Sequence, residues 1–480
     1  MLALAPQVQE TVQASDTAAA PAVITLEQAL QIALSENASV KVADKEIERT
    51  GYARKGSYAS LFPSIDGSAS YQRTIKKQVM YMDFDMGSMM GGGAGEGDAP
   101  DASAGAAAGA AGGPSSGGGI EVGRWNTWSV GLSASMPLVN AQLWKSLKIS
   151  DRDVELAVEK ARSSRLETVT QVKQAFFSCL LAKDAFDVYR SVYENALENC
   201  EQIQRKYNVQ KASELELTRA KTTLANAIPN VYDAESSVIL ALWQLKAVMG
   251  VDLDENIDVA GHLSDYAEHL FYDLHSNDDV DLNGNSSMRQ LAIQAEELAD
   301  AVRMQQYANL PSLAVAFAYN INAMTNDFNF SEYKWSPYSY VGLSLNIPIF
   351  AGGKRYNAIR QAKVQAAELD IQRTNTERQL KIAIRQYLNT METSMKSYDA
   401  AMSAVETAEK AYSIAKKSYD VGRSTLTDLN DAQLALTQTR LSISQAVYNF
   451  VVAKANLEGV IGADFIDGEG NVQLNNTYDK

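Results

Sequence analysis

The 480-residue sequence predicts a membrane α+β fold built from two internal repeats, each with two short strands set between long helices. Three observations carry this. "YDVGRSTLTDLNDA" (Tyr419–Ala432) has a diverged copy, "YNVQKASELELTRA" (Tyr207–Ala220), at an offset of 212 residues (419 − 207). Four segments of about ten residues alternate between an apolar and a small or polar side, the period of a strand. Two stretches, Pro137–Tyr207 and Pro348–Tyr419, run 70 and 71 residues in a helical pattern, which is about 105 Å of unbroken helix.

Composition narrows the function. With 46% hydrophobic residues the chain is too apolar to be a disordered acidic tail, although its formal net charge is −15. No Lys/Arg-rich stripe exists, which argues against nucleic acid as a partner. No apolar run approaches transmembrane-helix length, so the chain is soluble or crosses a membrane as strands. Cys179 and Cys200 stand 21 residues apart in one predicted helix, about 31 Å and too far to bridge. The sequence offers no nucleophile–base constellation, phosphate loop or metal-ligand spacing. The expectation is therefore no enzyme, no catalytic residue, no metal and no cofactor.

Taken in order, residues 1–23 read as an unstructured segment or a signal remnant. "MLALAP" lacks the basic start of a signal peptide; it reads as the tail of one, or as an arbitrary beginning. Repeat 1 spans 24–250. It opens with a predicted helix over Leu26–Tyr58, capped by Thr25 and Gln28, and Pro63 ends it. "SIDGSASYQ" and "WSVGLSASMPL" follow as strands. Between them lies a Gly-rich loop, 83–123, whose core Gly87–Gly119 cannot bury enough surface to order itself. Met80, Met82, Met86, Met89 and Met90 at its start suit a soft metal, but apolar filler is the favoured reading. A long helix, a turn and a return helix over Ala212–Met249 complete the repeat, with Pro229 expected to kink the last of these.

An acidic equatorial linker, 251–285, contains His262, His269 and His275, read as a solvated belt in preference to a metal site. Repeat 2, 286–462, has the same order, with strands in "LPSLAVAFAYNIN" and "YSYVGLSLNIPIF". Residues 463–480 form a C-terminal tail. Pro63, Pro137, Pro311 and Pro348 are expected at the four helix–strand junctions. Tyr71, Trp125, Trp128, Tyr319, Tyr333, Trp335, Tyr338 and Tyr340 lie at or near strand ends, as an interfacial girdle requires. The strands alone fit a half-buried soluble sheet or a lipid-facing barrel. The helices decide for the barrel, because rods of 105 Å far exceed an ordinary globular helix.

"LEQALQIAL…N", "LFPSI", "MPLVNAQLW", "IPIFAGGKR" and "YDVGRSTLTDLNDA" followed by "ANLEGVIG" together resemble the TolC-like outer-membrane factor family, from about Ile24 to Gly462. The resemblance implies a homotrimeric channel-tunnel. Four strands from each chain would form one 12-stranded transmembrane β-barrel, continued by a long periplasmic α-helical barrel. Closure has an independent reason: four strands leave two open edges, which lipid does not tolerate. The function implied is an outer-membrane exit duct of a tripartite efflux or type I secretion system, extending into the periplasm. Its partners would be the lipid bilayer, a periplasmic adaptor protein and an inner-membrane transporter of the resistance-nodulation-division or ABC type. The alternative is a soluble or surface-attached coiled-coil scaffold.

On this resemblance each copy of the repeated motif turns a helical hairpin at the periplasmic entrance. Asp428 and Asp431 match positions that project carboxylates into the closed pore, where they set selectivity. Tyr419 matches a tyrosine whose hydrogen bonds hold the entrance shut, with Gly422 and Arg423 completing the gate. A basic residue common two places after the glycine is Ser424 here, with Arg423 directly adjacent. Tyr207, Val209, Val421, Gly422 and Ser424 mark the tips where an adaptor would dock. Asp428 has a second reading, since Thr425–Asp428 and Ser213–Glu216 are both capping boxes. Asp431 has no such duty, and its counterpart is Arg219.

Overall fold

The computed structural model of the chain describes residues 22–80, 120–269 and 282–462. The first half forms β1 (Ala22–Ile24), α1 (Leu26–Glu36), α2 (Ala38–Ala59), β2 (Ser64–Arg73), β3 (Gln78–Met80), β4 (Ile120–Val122), β5 (Asn126–Val139), α3 (Ala141–Asn208) and α4 (Glu214–Met249). After β6 (Ile257–Val259), the second half forms α5 (Ser286–Tyr307), β7 (Ser312–Thr325), β8 (Ser336–Asn346), α6 (Lys354–Asp420) and α7 (Leu426–Ile461). Two units result. A helical unit draws on Met1–Lys55, Lys145–Gln305 and Lys354–Lys480; a strand unit draws on Gly56–Trp144 and Gln306–Gly353.

In the strand unit one antiparallel sheet has the order β2-β5-β7-β8. Its register collects the alternating apolar residues on one face. Ile65, Ala134, Phe317 and Val341 stand in one row, and Met136, Val315 and Leu343 in another. The opposite face carries Ser64, Ser135, Ala316 and Gly342, then Ser68, Gly131, Asn320 and Tyr338. Tyr340 falls on this small-polar face as well, beside Ala318, so Tyr338 and Tyr340 are not part of an aromatic girdle. Tyr319 sits in mid-strand, level with Leu132. Proximity in sequence to a strand end does not fix the side on which a ring emerges. Pro137 departs from expectation too. It lies inside β5, where the register shifts between Pro137 and Val139, because a bulge tolerates the missing donor.

β3 and β4, which flank the Gly-rich segment in sequence, pair with each other, so Ile120–Val122 belongs to a ladder and not to the loop 83–123. Most of that loop, with Met82, Met86, Met89 and Met90, lies outside the described residues, as do His275 and the tail 463–480.

In the helical unit α3 has 68 residues and α6 has 67, as their break-free patterns predict. Heptads set their contacts. Ala220, Ala227, Ala234 and Ala241 recur every seventh residue along the buried side of α4, and Ser394, Ala401 and Ala408 do so on α6. Small side chains at this spacing let helices approach closely along a coiled-coil seam. Pro229 sits within α4 without ending it. The main core gathers Val172, Phe176 and Leu180 of α3, Leu245 and Met249 of α4, and Val447, Phe450 and Leu457 of α7. Buried Cys179 belongs to it, and buried Cys200 lies further along α3; both thiols are free.

The supposed linker 251–285 contributes to this core. β6 pairs in parallel with β1, and a 3₁₀ turn over Leu263–His269 buries Leu263. β1 therefore starts at Ala22, inside the segment 1–23 expected to be unstructured. Three-residue strands carry no readable period, and these partners lie 235 positions apart (257 − 22). His262 is exposed, with Nδ1 3.3 Å from Asp184 Oδ1.

The predicted helix Leu26–Tyr58 is broken at Asn37, and the break has a purpose. Asn37 leaves helical geometry at ψ 130°, and its Oδ1 accepts from Ser39 N at 2.7 Å, capping α2. Its Nδ2 donates to Val248 O in the last turn of α4 at 2.6 Å. One amide thus joins the carboxyl end of α4 to the amino end of α2. Asn285 repeats the arrangement between α7 and α5, donating to Val460 O at 2.6 Å and accepting from Met288 N at 3.0 Å. Gly250 ends α4 at φ 75°, and a Cβ there would stand 2.7 Å from Glu36 O. Gly462 ends α7 at φ 69°. At the second splice Arg162 of α3 adds a clamp, donating to Gly284 O (3.2 Å) and Gly462 O (3.1 Å).

Asn285→Ala removes the cap and leaves the Val460 carbonyl without its donor. It is expected to cost about 2 kcal/mol, read as a lowered urea midpoint of the detergent-solubilised protein. Asn285→Asp, which keeps the cap but not the donor, should fall between.

Candidate functional site

The candidate site is the pair of hairpin tips, where α3 turns into α4 and α6 into α7. Both turns use one backbone device. Gly422 N donates to Tyr419 O at 3.0 Å and Arg423 N to Ser418 O at 2.8 Å. In the first hairpin Gln210 N donates to Tyr207 O and Lys211 N to Lys206 O, both at 2.8 Å. These bonds satisfy carbonyls that the helix end leaves open, and they require a left-handed residue. Gly422 supplies it at φ 71°, whereas Gln210 is forced to φ 58°, the only non-glycine with positive φ among the described residues.

Each return helix then starts from a complete capping box. Thr425 Oγ1 accepts from Asp428 N at 3.2 Å, and Asp428 Oδ2 accepts from Thr425 N at 2.8 Å. Ser213 and Glu216 do the same for α4. Asp428 accordingly serves as a cap, and the backbone hydrogen bond from Thr425 holds its carboxyl below the ordinary carboxylate range. That contribution to folding is present above the ordinary carboxylate pKa and is lost as the pH falls through the depressed folded value. Asp431 stands one turn further along α7, on the same side and exposed.

The two tyrosines part company. Tyr419 is 7% exposed and Tyr207 38%. Tyr419 packs into a small cluster with Cys200, Ile203, Leu217, Ala220, Leu426 and Leu429, which ties one hairpin tip to the other. Lys206 Nζ lies 5.3 Å above its ring. Burial pushes the Tyr419 hydroxyl up to about 12, so the ring stays neutral at any physiological pH. What holds Tyr419 in this chain is packing and a cation on its face. Arg423 is exposed apart from its backbone bond, while Ser424 Oγ turns back to Ala415 O at 3.4 Å.

Two further residues lock the hairpins together. Asn430 Nδ2 donates to Thr223 Oγ1 at 3.2 Å and Gln433 Nε2 to Val192 O at 3.5 Å. Nothing local in the sequence marks them, since their partners lie 207 and 241 residues away. At the outermost point Val209 and Val421 are 62% and 68% exposed.

The sequence profile described as "Outer membrane efflux protein" matches residues 29–251 and 281–463. "Outer membrane protein TolC" of Vibrio cholerae is 22% identical over 344 residues, covering 70% of this chain and 76% of that relative. "Alkaline protease secretion protein AprF" of Pseudomonas aeruginosa is 25% identical over 354 residues, covering 70% of this chain and 72% of AprF. The crystal structure of the Campylobacter jejuni CmeC outer membrane channel superposes with a TM-score of 0.67 at 19% identity, covering 91% of this chain and 85% of CmeC.

The strained turn gives a direct test. Gln210→Gly should relieve the left-handed backbone and stabilise the first hairpin by about 1 kcal/mol, whereas Gly422→Gln should destabilise the second by a similar amount. Hydrogen exchange of the amides flanking each turn reports both.

Proposed function

Because the chain belongs to the outer membrane efflux protein family, we propose a trimeric channel-tunnel as the form in which it works. It is an outer-membrane exit duct for efflux or secretion, located in the bacterial outer membrane and extending into the periplasm. The observation that carries the trimer is the sheet β2-β5-β7-β8. It has a continuous apolar face, and β2 and β8 have one neighbour each. In hydrocarbon an open edge leaves a row of backbone groups without partners. Pairing β8 of one copy with β2 of the next removes every edge, and three copies give a 12-stranded barrel. The heptad seams of α4 and α6 support the matching periplasmic α-barrel, and the 212-residue offset of the hairpins supports two repeats per chain.

In this reading the tips ring the periplasmic entrance. Asp428 and Asp431 of three chains bring six carboxylates to one constriction, where the clustered negative charge attracts cations. Tyr419, Gly422 and Arg423 form the closing element, with Tyr419 held by the inter-hairpin cluster. Tyr207, Val209, Val421, Gly422 and Ser424 offer a periplasmic adaptor its docking points. Conduction is passive, and an inner-membrane transporter of the resistance-nodulation-division or ABC type supplies the energy.

The detergent-extracted protein should run as a trimer in the outer-membrane fraction, and a monodisperse detergent-free monomer would overturn the barrel. In planar bilayers the channel should favour cations and be blocked by multivalent cations from the periplasmic side. Asp428→Asn with Asp431→Asn should weaken both effects. Unchanged selectivity and block in that variant would return the two aspartates to helix-surface charge.

A further inference from the structure

At its hairpin end the sheet closes in a cluster of aromatic and basic side chains that conduction does not use. On β2 the apolar-face positions Ile65, Gly67, Ala69, Tyr71 and Arg73 pass from aliphatic and small to aromatic to cationic toward that end, beside Leu132 and Val130 of β5. Tyr71 packs on Trp128 of β5 with ring centroids 4.3 Å apart, and its hydroxyl donates to Asn126 Oδ1 at 2.9 Å. The β7–β8 connection folds onto this pair and places Phe328 6.4 Å from Tyr71. It is pinned there by the Asp327 carbonyl, which accepts from Asn126 Nδ2 (3.0 Å), Thr325 Oγ1 (2.9 Å) and Tyr333 Oη (2.9 Å).

Two cations are seated on aromatic rings at this end of the sheet. The Arg73 guanidinium lies 5.6 Å above Phe328, and the Lys77 ammonium lies 4.8 Å above Trp125. Among the described residues neither is paired with a carboxylate. Arg73 is exposed, and so are Phe328 and Trp125. A cation on a ring has already given up much of its side-chain freedom, yet it keeps N–H groups to donate. Guanidinium and ammonium groups so held suit phosphate oxygens, and the aliphatic column below them suits hydrocarbon. A ligand satisfying both at once is an amphiphile with an anionic head.

The geometry points to a binding site for a phosphate-bearing lipid, its head on Arg73 and Lys77 and its chains along Tyr71, Ala69 and Ile65. The site rests on the reading that this sheet face meets lipid. The hairpin end lies opposite the strand ends that join the helices, so in a duct rooted in the outer membrane it belongs to the outer leaflet.

The test reconstitutes the full-length protein into phosphatidylcholine vesicles with or without a bis-phosphorylated glycolipid, lipid A, and measures retained lipid by native mass spectrometry after extraction. Wild type should retain the phosphorylated lipid in preference to phosphatidylcholine. Arg73→Gln with Lys77→Gln should lower its apparent affinity about thirty-fold while the trimer stays intact. Lys76→Gln, which removes a neighbouring exposed cation that touches no ring, should leave retention near wild type. An unchanged double variant, an equal loss in Lys76→Gln, or full displacement by inorganic phosphate alone each overturns the site. Failure of the wild type to insert into either vesicle overturns the lipid-facing sheet itself, and is read separately as absence of protein from the vesicle fraction.

Discussion

A helix that ends inside a protein leaves four carbonyls without partners, and one that begins there leaves four amides. This chain places such an end against such a beginning twice, and the rest of its helical unit depends on how the conflict is settled. Asn37 and Asn285 settle it with one amide each, donor toward the finished helix and acceptor toward the new one. The glycines at 250 and 462 let the backbones meet at a distance no side chain would allow. Helices of 36 and 22 residues thereby stand in for one column comparable with the 68-residue α3. The spliced column can run beside the continuous one because each splice caps the finished helix and the new one with the same side chain.

The same scaffold, used twice, has diverged where function differs and held where geometry demands. Both hairpins keep the two turn bonds and the capping box. They differ in what faces out of them: Asp431 against Arg219, Gly422 against Gln210, a buried Tyr419 against a half-exposed Tyr207. At the second splice Arg162 clamps two carbonyls, while Thr374, 212 positions on, has no side chain that could reach as far. Identical backbones with unlike side chains make neighbouring hairpins complementary, as the shared cluster around Tyr419 illustrates.

Much of this was legible in the sequence, and the limits have physical causes. Period-2 patterns marked all four strands of the sheet, and spacing marked all three capping boxes, because these signals are local. Asn37 carries no local signal because "SENAS" does not break a helical pattern; its meaning lies in Val248, 211 residues away. The β1–β6 ribbon is hidden in the sequence for the same reason, since its two strands lie 235 positions apart. Tyr338 and Tyr340 stand near a strand end in sequence, but their side is fixed by register. At the tips the turn and the caps were readable, while Lys206, Asn430 and Gln433, which hold the hairpins to each other, were not.

The two cysteines bear on the chemistry of the compartment in which the chain matures. Burial raises the Cys179 thiol to about 12, so almost none of it is thiolate near neutrality, and Cys200 is enclosed beside Ile203. Only a thiolate attacks a disulfide or an oxidant, and only one that can be reached. Once folded, the chain therefore holds both thiols inside its helical packing. It keeps two thiols in an oxidising space without offering either to disulfide exchange, and its long helices need no covalent cross-link to stay in register.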